Sequence, residues 1–284
     1  MSIEERLPAP SNPLGMDGIE FIEYATTKPQ EFGGLLQKMG FAAVARHRSR
    51  EVMLYRQGTM NLVVNAHAAK DSTPALSAVA LRVRDAAFAH RQSLDLGAWD
   101  MPTRASAMEL HIPGIHGAGE SLLYFVDRYT DFSIYDVDFV PLAGTDPAPP
   151  AIAGLHWFGV VQAIRLDRTA DWIDFYRSLF GFEVLPHGKY FGVLPRGALL
   201  ESPCHKFYWQ LIEPPAGAED IHWEEQLVRV GLGARDVPAA VHALRDRGIA
   251  FIDRGSVQPS DRGALTHGYM GGVTFELVVS HLNP

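Results

Sequence analysis

The stretch "LHWFGVVQAIRLDRTADWIDFYRSLFGFEVL", residues 155–185, decides the fold. It begins with an apolar run of the length expected for a buried strand. Its middle part repeats apolar residues near the 3.6-residue period of a helix, at Trp172, Phe175, Tyr176 and Leu179. A Gly-Phe turn at 181–182 follows. The stretch therefore predicts a strand, an amphipathic helix and a turn that leads into further strands.

The same order of segments recurs along the chain. Three pairs match across its middle: EFGGLLQKMGF (31–41) with DWIDFYRSLFGF (171–182), VALRVRD (79–85) with VGLGARD (230–236), and GESLLYFVDRY (119–129) with GGVTFELVVSH (271–281). Such self-similarity indicates a duplicated architecture. Each half reads as two βαβββ modules, which predicts an α+β fold. Two modules side by side form a curved sheet that wraps a pocket, a geometry suited to a metal or a small polar ligand.

A linker separates the two halves. Residues 141–154, PLAGTDPAPPAIAG, are rich in Pro, Ala and Gly, carry little charge and show no period. We therefore predict an N-terminal domain over 12–143, a linker over 144–154 and a C-terminal domain over 155–284.

Charge and composition exclude several classes of partner. The net charge of −8 and the lack of a basic stripe argue against nucleic acid. No apolar run approaches the roughly 18 residues of a membrane span, and the acidic, proline-rich N-terminus does not have the form of a signal peptide. The single cysteine, Cys204, excludes an internal disulfide and fits a reducing compartment. We expect a cytoplasmic protein with neither nucleic acid nor membrane as partner.

Four segments carry a family resemblance: NPLGMDGIEFIEYAT (12–26), RHRSREVMLYRQGTMNLVVN (46–65), MELHIPGIHGAGESLLYFVDRY (108–129) and SIYDVDFVPL (133–142). They resemble the N-terminal half of bacterial 4-hydroxyphenylpyruvate dioxygenases, and the dioxygenase-like module fused to some bacterial 3-dehydroshikimate dehydratases. These proteins belong to the vicinal oxygen chelate (glyoxalase fold) superfamily. The resemblance implies two tandem vicinal-oxygen-chelate barrels built from paired βαβββ modules. It also implies that the N-terminal barrel serves structure and oligomerisation, so that the chain forms a homo-oligomer such as a dimer.

The resemblance further implies a catalytic iron in the C-terminal barrel, held by two histidines and one glutamate on three strands. Neutral imidazoles and one carboxylate leave Fe(II) open to an α-keto acid and O₂. The three ligand positions carry over to this sequence one by one. The first histidine position is Gln162, the second is Arg229, and Glu276 in MGGVTFEL matches the glutamate. The family's C-terminal lid helix has no counterpart before Pro284.

The substitution at 229 leads to a hypothesis for the site. Arginine keeps its charge and offers no lone pair, so it opposes a metal. We hypothesise that Arg229 supplies the fixed positive charge beside Glu276 and receives the carboxylate of a small acid. Gln162, Tyr208 and Gln210 would then bind the substrate with neutral hydrogen bonds.

Other arrangements of the site remain open. Arg229 and Glu276 can equally form a structural salt bridge, or Glu276 can bind a divalent metal together with Gln162. His267, in ALTHGYMGG, is a candidate general acid or base beside the catalytic pair Glu276 and Arg229. A relocated metal site built from His156, His222 and Glu276 is a further alternative, with His156 and Gln162 sharing a parity on one strand.

Three functions follow from these observations. The leading prediction is a dioxygenase-lineage enzyme that acts on a small aromatic or keto acid by proton transfer, lysis or isomerisation, with no cofactor. The first alternative is a metal-dependent dioxygenase that uses Fe(II) or another divalent ion with unusual ligands. The second is a non-catalytic protein that binds a small acid or serves as a scaffold.

The N-terminal half offers little sign of a metal site. The repeat places Ala78 at the position of Arg229, and Tyr124 at that of Glu276. Glu20 and Glu23 share a predicted strand, but regular alternation would point them to opposite faces. We therefore expect no paired carboxylates there.

Overall fold

The computed structural model describes residues 12–66, 73–102, 110–186, 197–214, 224–254 and 258–282. The first sheet contains β1 (Ile19–Ala25), β2 (Ala42–His47), β3 (Val52–Gln57), β4 (Met60–Asn65), β5 (Ala75–Arg82), β6 (Gly114–His116), β7 (Leu122–Val126) and β8 (Phe139–Pro141). Three helices accompany it: α1 (Pro29–Lys38), α2 (Ala86–Asp95) and α3 (Ile134–Asp138).

The second sheet contains β9 (His156–Ala163), β10 (Glu183–Val184), β11 (Ala198–Glu201), β12 (Tyr208–Ile212), β13 (Gln226–Ala234), β14 (Gly263–Leu265) and β15 (Phe275–Val279). Its helices are α4 (Thr169–Phe180) and α5 (Val237–Asp246). A 3₁₀ turn at Ile152–Gly154 precedes β9. In the described residues, no helix is long and apolar enough to cross a membrane.

The two sheets share one topology. The first has the order β6-β7-β5-β1-β4-β3-β2-β8 and the second the order β10-β11-β12-β9-β13-β15-β14. In the first, β1 is parallel to β4 and antiparallel to β5, which is parallel to β7. In the second, β9 is parallel to β12 and antiparallel to β13, which is parallel to β15. The repeated segments of the sequence therefore lie at equivalent places in two sheets.

The repeated motif ending in Arg-Asp joins a strand to a helix in both halves. Asp85 accepts a hydrogen bond from the Phe88 backbone N–H at the start of α2. Asp236 accepts one from the Ala239 N–H at the start of α5. A carboxylate there satisfies a backbone donor that the helix itself cannot pair. The final Asp of VALRVRD and of VGLGARD is thus a helix cap.

A single cluster of buried apolar residues, here called the shared core, joins the two halves. It contains side chains from both sheets and from α1, α2, α4 and α5. Three aromatic pairs cross between the halves: Tyr24 with Phe275 at 6.4 Å, Phe41 with Trp157 at 6.3 Å, and Phe125 with Phe180 at 6.3 Å between ring centroids. In the second sheet, Val160, Trp209, Val230 and Phe275 face this core. The opposite face of that sheet is here called the outer face.

One amide side chain, that of Gln162, lies within the shared core. It is fully buried. Its Oε1 accepts hydrogen bonds from the Tyr176 hydroxyl at 2.6 Å and from Trp209 Nε1 at 2.9 Å. Within the described residues its Nε2 has no hydrogen-bond partner. Gln162 therefore ties α4 and β12 to β9 inside the core.

We predict that Gln162→Leu destabilises the protein by about 1–3 kcal/mol, because the Tyr176 and Trp209 donors would be left buried and unpaired. The free energy of unfolding in urea measures the loss. The matched control is Gln37→Leu, at an exposed position of α1, which should change stability by no more than about 0.5 kcal/mol. Equal stability of Gln162→Leu and the parent would show that these two bonds do not form.

Candidate functional site

The outer face of the second sheet is organised by the pairing of its central strands. Gly231 on β13 lies opposite Glu276 on β15 and opposite Gly159 on β9. One step along, Arg229 lies opposite Val161. Directly opposite residues share a face of a sheet. The charged residues of β13 and β15 therefore stand side by side, away from the shared core.

Arg229 and Glu276 form a mostly buried ion pair on this face. Arg229 Nη1 lies 3.4 Å from Glu276 Oε2, and the two side chains are 14% and 5% exposed. Arg229 Nε donates to Thr274 Oγ1 at 3.2 Å. Thr274 lies two residues before Glu276 and immediately before β15, so the guanidinium is held at two points of one short segment. Such fixation sets the direction in which the remaining donors point.

Arg229 has donors beyond those used in these hydrogen bonds. A guanidinium has five N–H donors and no acceptor. Within the described parts of the chain, its hydrogen bonds leave from Nε and Nη1, and none leaves from Nη2. A carboxylate can accept two parallel bonds from a guanidinium. The geometry is therefore that of an anion-binding group held in place by its own counter-ion.

Tyr208 and Gln210 stand on the same outer face as the ion pair, on β12, which β9 separates from β13. Tyr208 lies opposite Gly159, and Gln210 lies opposite Val161. The Phe158 and Tyr208 rings are 5.0 Å apart, which gives this face an aromatic patch. Burial raises the pKa of the Tyr208 hydroxyl, and the charge of Glu201 and a hydrogen bond with it raise that pKa further. Tyr208 is thus neutral, and its hydroxyl donates to the Glu201 carboxylate.

Gln162 does not join this group, although the count along the sequence selects it for the first ligand position. It faces the shared core, where Tyr176 and Trp209 bind its oxygen. The residue of β9 that faces Arg229 is Val161. Because alternate residues of a strand point to opposite faces, an error of one position reverses the assignment. The residue of β9 that lies opposite Arg229 on the outer face is therefore apolar.

His267 also lies apart from the ion pair. It is exposed, and its backbone N–H donates to Ala250 O at 2.9 Å. In the described residues, no hydrogen bond or ion pair links its ring to Arg229 or Glu276. The structure therefore leaves His267 without a contact that would support a role as general acid or base.

His156 is on the outer face, but its ring nitrogens are occupied. Nδ1 lies 3.1 Å from Gly154 O and Nε2 lies 2.9 Å from Ser280 Oγ. Because a carbonyl only accepts, Nδ1 carries the proton and Nε2 accepts from the Ser280 hydroxyl. Burial lowers the pKa of His156, so the ring is neutral. A strand irregularity between 231 and 232 puts His156 and Gln162 on opposite faces despite their equal parity.

The described residues do not fit the iron site that the sequence resemblance implies. They contain no group of three or more His, Cys, Asp or Glu side chains that could hold a metal ion. His222, part of the relocated alternative, lies outside the described residues. Arg229 adds a positive charge directly beside Glu276. At 4 Å and an effective dielectric constant near 20, each pair of unit charges interacts by about 4 kcal/mol, and a divalent cation would be repelled.

The comparisons with known proteins agree with the architecture. Residues 11–140 match the family described as "Hydroxyphenylpyruvate dioxygenase, HPPD, N-terminal". Hemolysin VllY of Vibrio vulnificus (strain CMCP6) is 36% identical over 269 residues, a match that covers 85% of this chain and 73% of that protein. A 4-hydroxyphenylpyruvate dioxygenase of Pseudomonas aeruginosa is 31% identical over 264 residues. That match covers 85% of this chain and 72% of that protein.

Among solved structures, a mutant of 4-hydroxymandelate synthase from Streptomyces coelicolor has a TM-score of 0.74 at 15% identity. The likeness covers 95% of this chain and 94% of that one, and it is a likeness of fold. The mixed α/β architecture with two sheets is thus shared with this solved structure. By sequence, the chain belongs to the 4-hydroxyphenylpyruvate dioxygenase family.

Proposed function

We propose that this chain is a metal-independent member of its family that binds a small aromatic or keto acid on the outer face of its second sheet. The observation that carries the proposal is the ion pair between Arg229 and Glu276. The sheet order supports a further expectation, that each half is a vicinal-oxygen-chelate barrel of paired βαβββ modules. The acid would then lie inside the second barrel, against the outer face of the second sheet.

The residues around the ion pair suit an aromatic acid. Nη2 of Arg229 would receive the carboxylate, because that nitrogen makes no hydrogen bond within the described residues. The aromatic patch of Phe158 and Tyr208 would contact the ring of the acid, and Gln210 lies on the same face of the sheet.

Any turnover at this site would be proton transfer. A keto acid held by Arg229 brings the carbon next to its carbonyl close to Glu276, and a carboxylate can accept a proton from such a carbon. The C–H bond breaks, the proton passes to Glu276, and the electron pair forms the enolate; return of a proton from Glu276 or solvent restores the acid. No oxidant is consumed in this cycle.

The placement of Val161 predicts how a metal site could be created. Val161→His combined with Arg229→His would put two imidazoles opposite each other beside Glu276, and would remove the guanidinium charge. We expect this double variant to bind one Co(II) per chain, detected by its visible absorbance, whereas the parent does not.

The control for that experiment is Gln162→His combined with Arg229→His, whose first imidazole would face the shared core. It should gain no stoichiometric cobalt, with folding checked by circular dichroism. Cobalt binding by the Gln162 pair and not by the Val161 pair would overturn the assignment of faces on β9.

Binding of benzoate tests the role of Arg229. We predict that Arg229→Gln raises the Kd about tenfold or more, because a hydrogen bond to a charged group contributes about 1.5–3 kcal/mol. Isothermal titration calorimetry gives the Kd. The matched control is Arg168→Gln, which removes an exposed arginine of the same half that pairs with Asp171. An unchanged Kd in Arg229→Gln would reject this site for the acid.

Deuterium exchange tests the role of Glu276. With 4-hydroxyphenylpyruvate in D₂O, the parent should speed exchange at the carbon next to the ketone, since general base catalysis contributes roughly 10²–10⁴-fold. Glu276→Gln should return the rate, followed by proton NMR, to that of protein-free buffer. If exchange is fast with Glu276→Gln, another group is the base; if the parent equals buffer, the chain binds the acid without turning it over.

A further inference from the structure

A cavity of about 410 Å³ lies in the first half of the molecule, away from the site described above. Its apolar wall is built around four aromatic side chains: Phe21, Tyr124, Tyr135 and Phe139. His47 and Arg50 also line it. Pockets for small molecules range from roughly 300 to 1,000 Å³. This cavity has room for a compact ligand with one ring.

Glu23 reaches this cavity from the middle of β1. It is only 8% exposed. Its Oε1 accepts hydrogen bonds from Ser77 Oγ at 2.8 Å and from Asn65 Nδ2 at 3.4 Å. In the described residues, no hydrogen bond reaches Oε2. On a side chain this buried, a carboxylate oxygen is stabilised when a hydrogen-bond donor pairs with it.

An irregularity in the sheet fixes the carboxyl group of Glu23. Glu23 lies opposite Ala78 and Tyr24 opposite Leu76, so Ser77 is the extra residue between two pairs. A bulge of this kind re-aims a side chain, and here Ser77 turns toward Glu23. The oxygen Oε1 is thereby held by Ser77 and Asn65, in a side chain that lines the cavity.

The electrostatic surroundings agree with a carboxyl group inside an apolar pocket. Burial raises the pKa of Glu23, while the bonds from Ser77 and Asn65 and the charge of Arg50 act against that rise. Burial also raises the pKa of Tyr124, and the charge of Glu23 raises it further. The Tyr124 hydroxyl is thus a neutral neighbour of the carboxylate.

We propose that this cavity is a second binding site, for a single-ring aromatic molecule whose polar end donates a hydrogen bond to Glu23 Oε2. The ring packs against Phe21, Tyr124 and Phe139. A neutral hydroxyl and a charged ammonium group share this donor chemistry. An acceptor-only group such as a carboxylate would meet the oxygen of Glu23 and be repelled.

This site is independent of the proposed function. It uses a carboxylate to select a donor, whereas the outer face of the second sheet uses Arg229 to select an acid. Arg229→Gln should therefore leave binding at the cavity unchanged, and Glu23→Gln should leave benzoate binding unchanged. The two sets of binding measurements can therefore disprove either proposal without disproving the other.

The test uses phenol and benzylamine as probes on the full chain, with Kd values from ligand-detected NMR titration. We expect saturable binding of at least one probe. Glu23→Gln should weaken it about tenfold or more, because an amide N–H₂ replaces the accepting oxygen. Phenol alone binding identifies a neutral donor, and benzylamine alone identifies an ammonium group. The matched control, Glu31→Gln, removes an exposed carboxylate of α1 in the same half and should have no effect.

A second variant covers the case in which the amide introduced by Glu23→Gln turns its oxygen to the cavity. Val63 lies opposite Glu23 on β4 and lines the cavity, so Val63→Phe fills the space and leaves the carboxyl group intact. It should abolish binding of both probes while circular dichroism shows a folded chain. Binding that survives in Val63→Phe, or the failure of both probes to bind the parent, overturns the proposal.

Discussion

A guanidinium held against a carboxylate on the outer face of the second sheet is the interaction on which the site depends. Arg229 and Glu276 neutralise each other, and Thr274, the residue before β15, also binds the arginine. Removing either partner would leave a mostly buried charge unpaired, which is expensive. The pair therefore both stabilises the sheet and determines what can approach it. An anion can replace part of the pairing, while a divalent cation meets a positive charge.

The two halves share one strand topology but carry different side chains at equivalent positions. In the second sheet, the positions facing away from the shared core carry Arg229 and Glu276. In the first, Ala80 lies opposite Tyr124, as Gly231 lies opposite Glu276. Glu23 lies opposite Ala78, as Val161 lies opposite Arg229. The first half thus has Ala78 and Tyr124 at the positions of the ion pair, and it has the carboxylate of Glu23 at the position of Val161. The two halves therefore differ in the side chains that a common arrangement of strands presents.

Much of the fold could be predicted from the sequence because its signals are local. The repeat, the helix of 169–180 and the strand-to-helix motif ending in Asp all follow from periodicity and matching segments. The place of Arg229 on β13 follows in the same way, since that residue precedes a well-matched motif; its replacement of a ligand histidine stays a prediction. Glu276 was readable for the same reason, and the structure brings both residues together.

The sheet face on which some side chains lie could not be predicted, because it depends on irregular strand pairing that the sequence does not reveal. Counting along the sequence places Gln162 on the outer face. In the structure, the residue of β9 opposite Arg229 on that face is Val161, one position earlier. Irregular pairing in β1 places Glu20 near Asn61 and Arg82, on the same face as Glu23, so the expected opposite orientation is wrong. Hydrogen bonds such as those from Tyr176 and Trp209 to Gln162 join segments far apart in the chain. Alternation predicts faces only where the strands are regular.

The most direct test of the central claim is diffraction at the iron absorption edge. Crystals would be grown from protein purified without chelator and supplied with Fe(II) in the absence of oxygen. The ion pair predicts no anomalous peak near Glu276, and guanidinium density within hydrogen-bond reach of its carboxylate. An anomalous peak at coordination distance from Glu276, about 2.0–2.2 Å, with Arg229 turned away, would contradict the account.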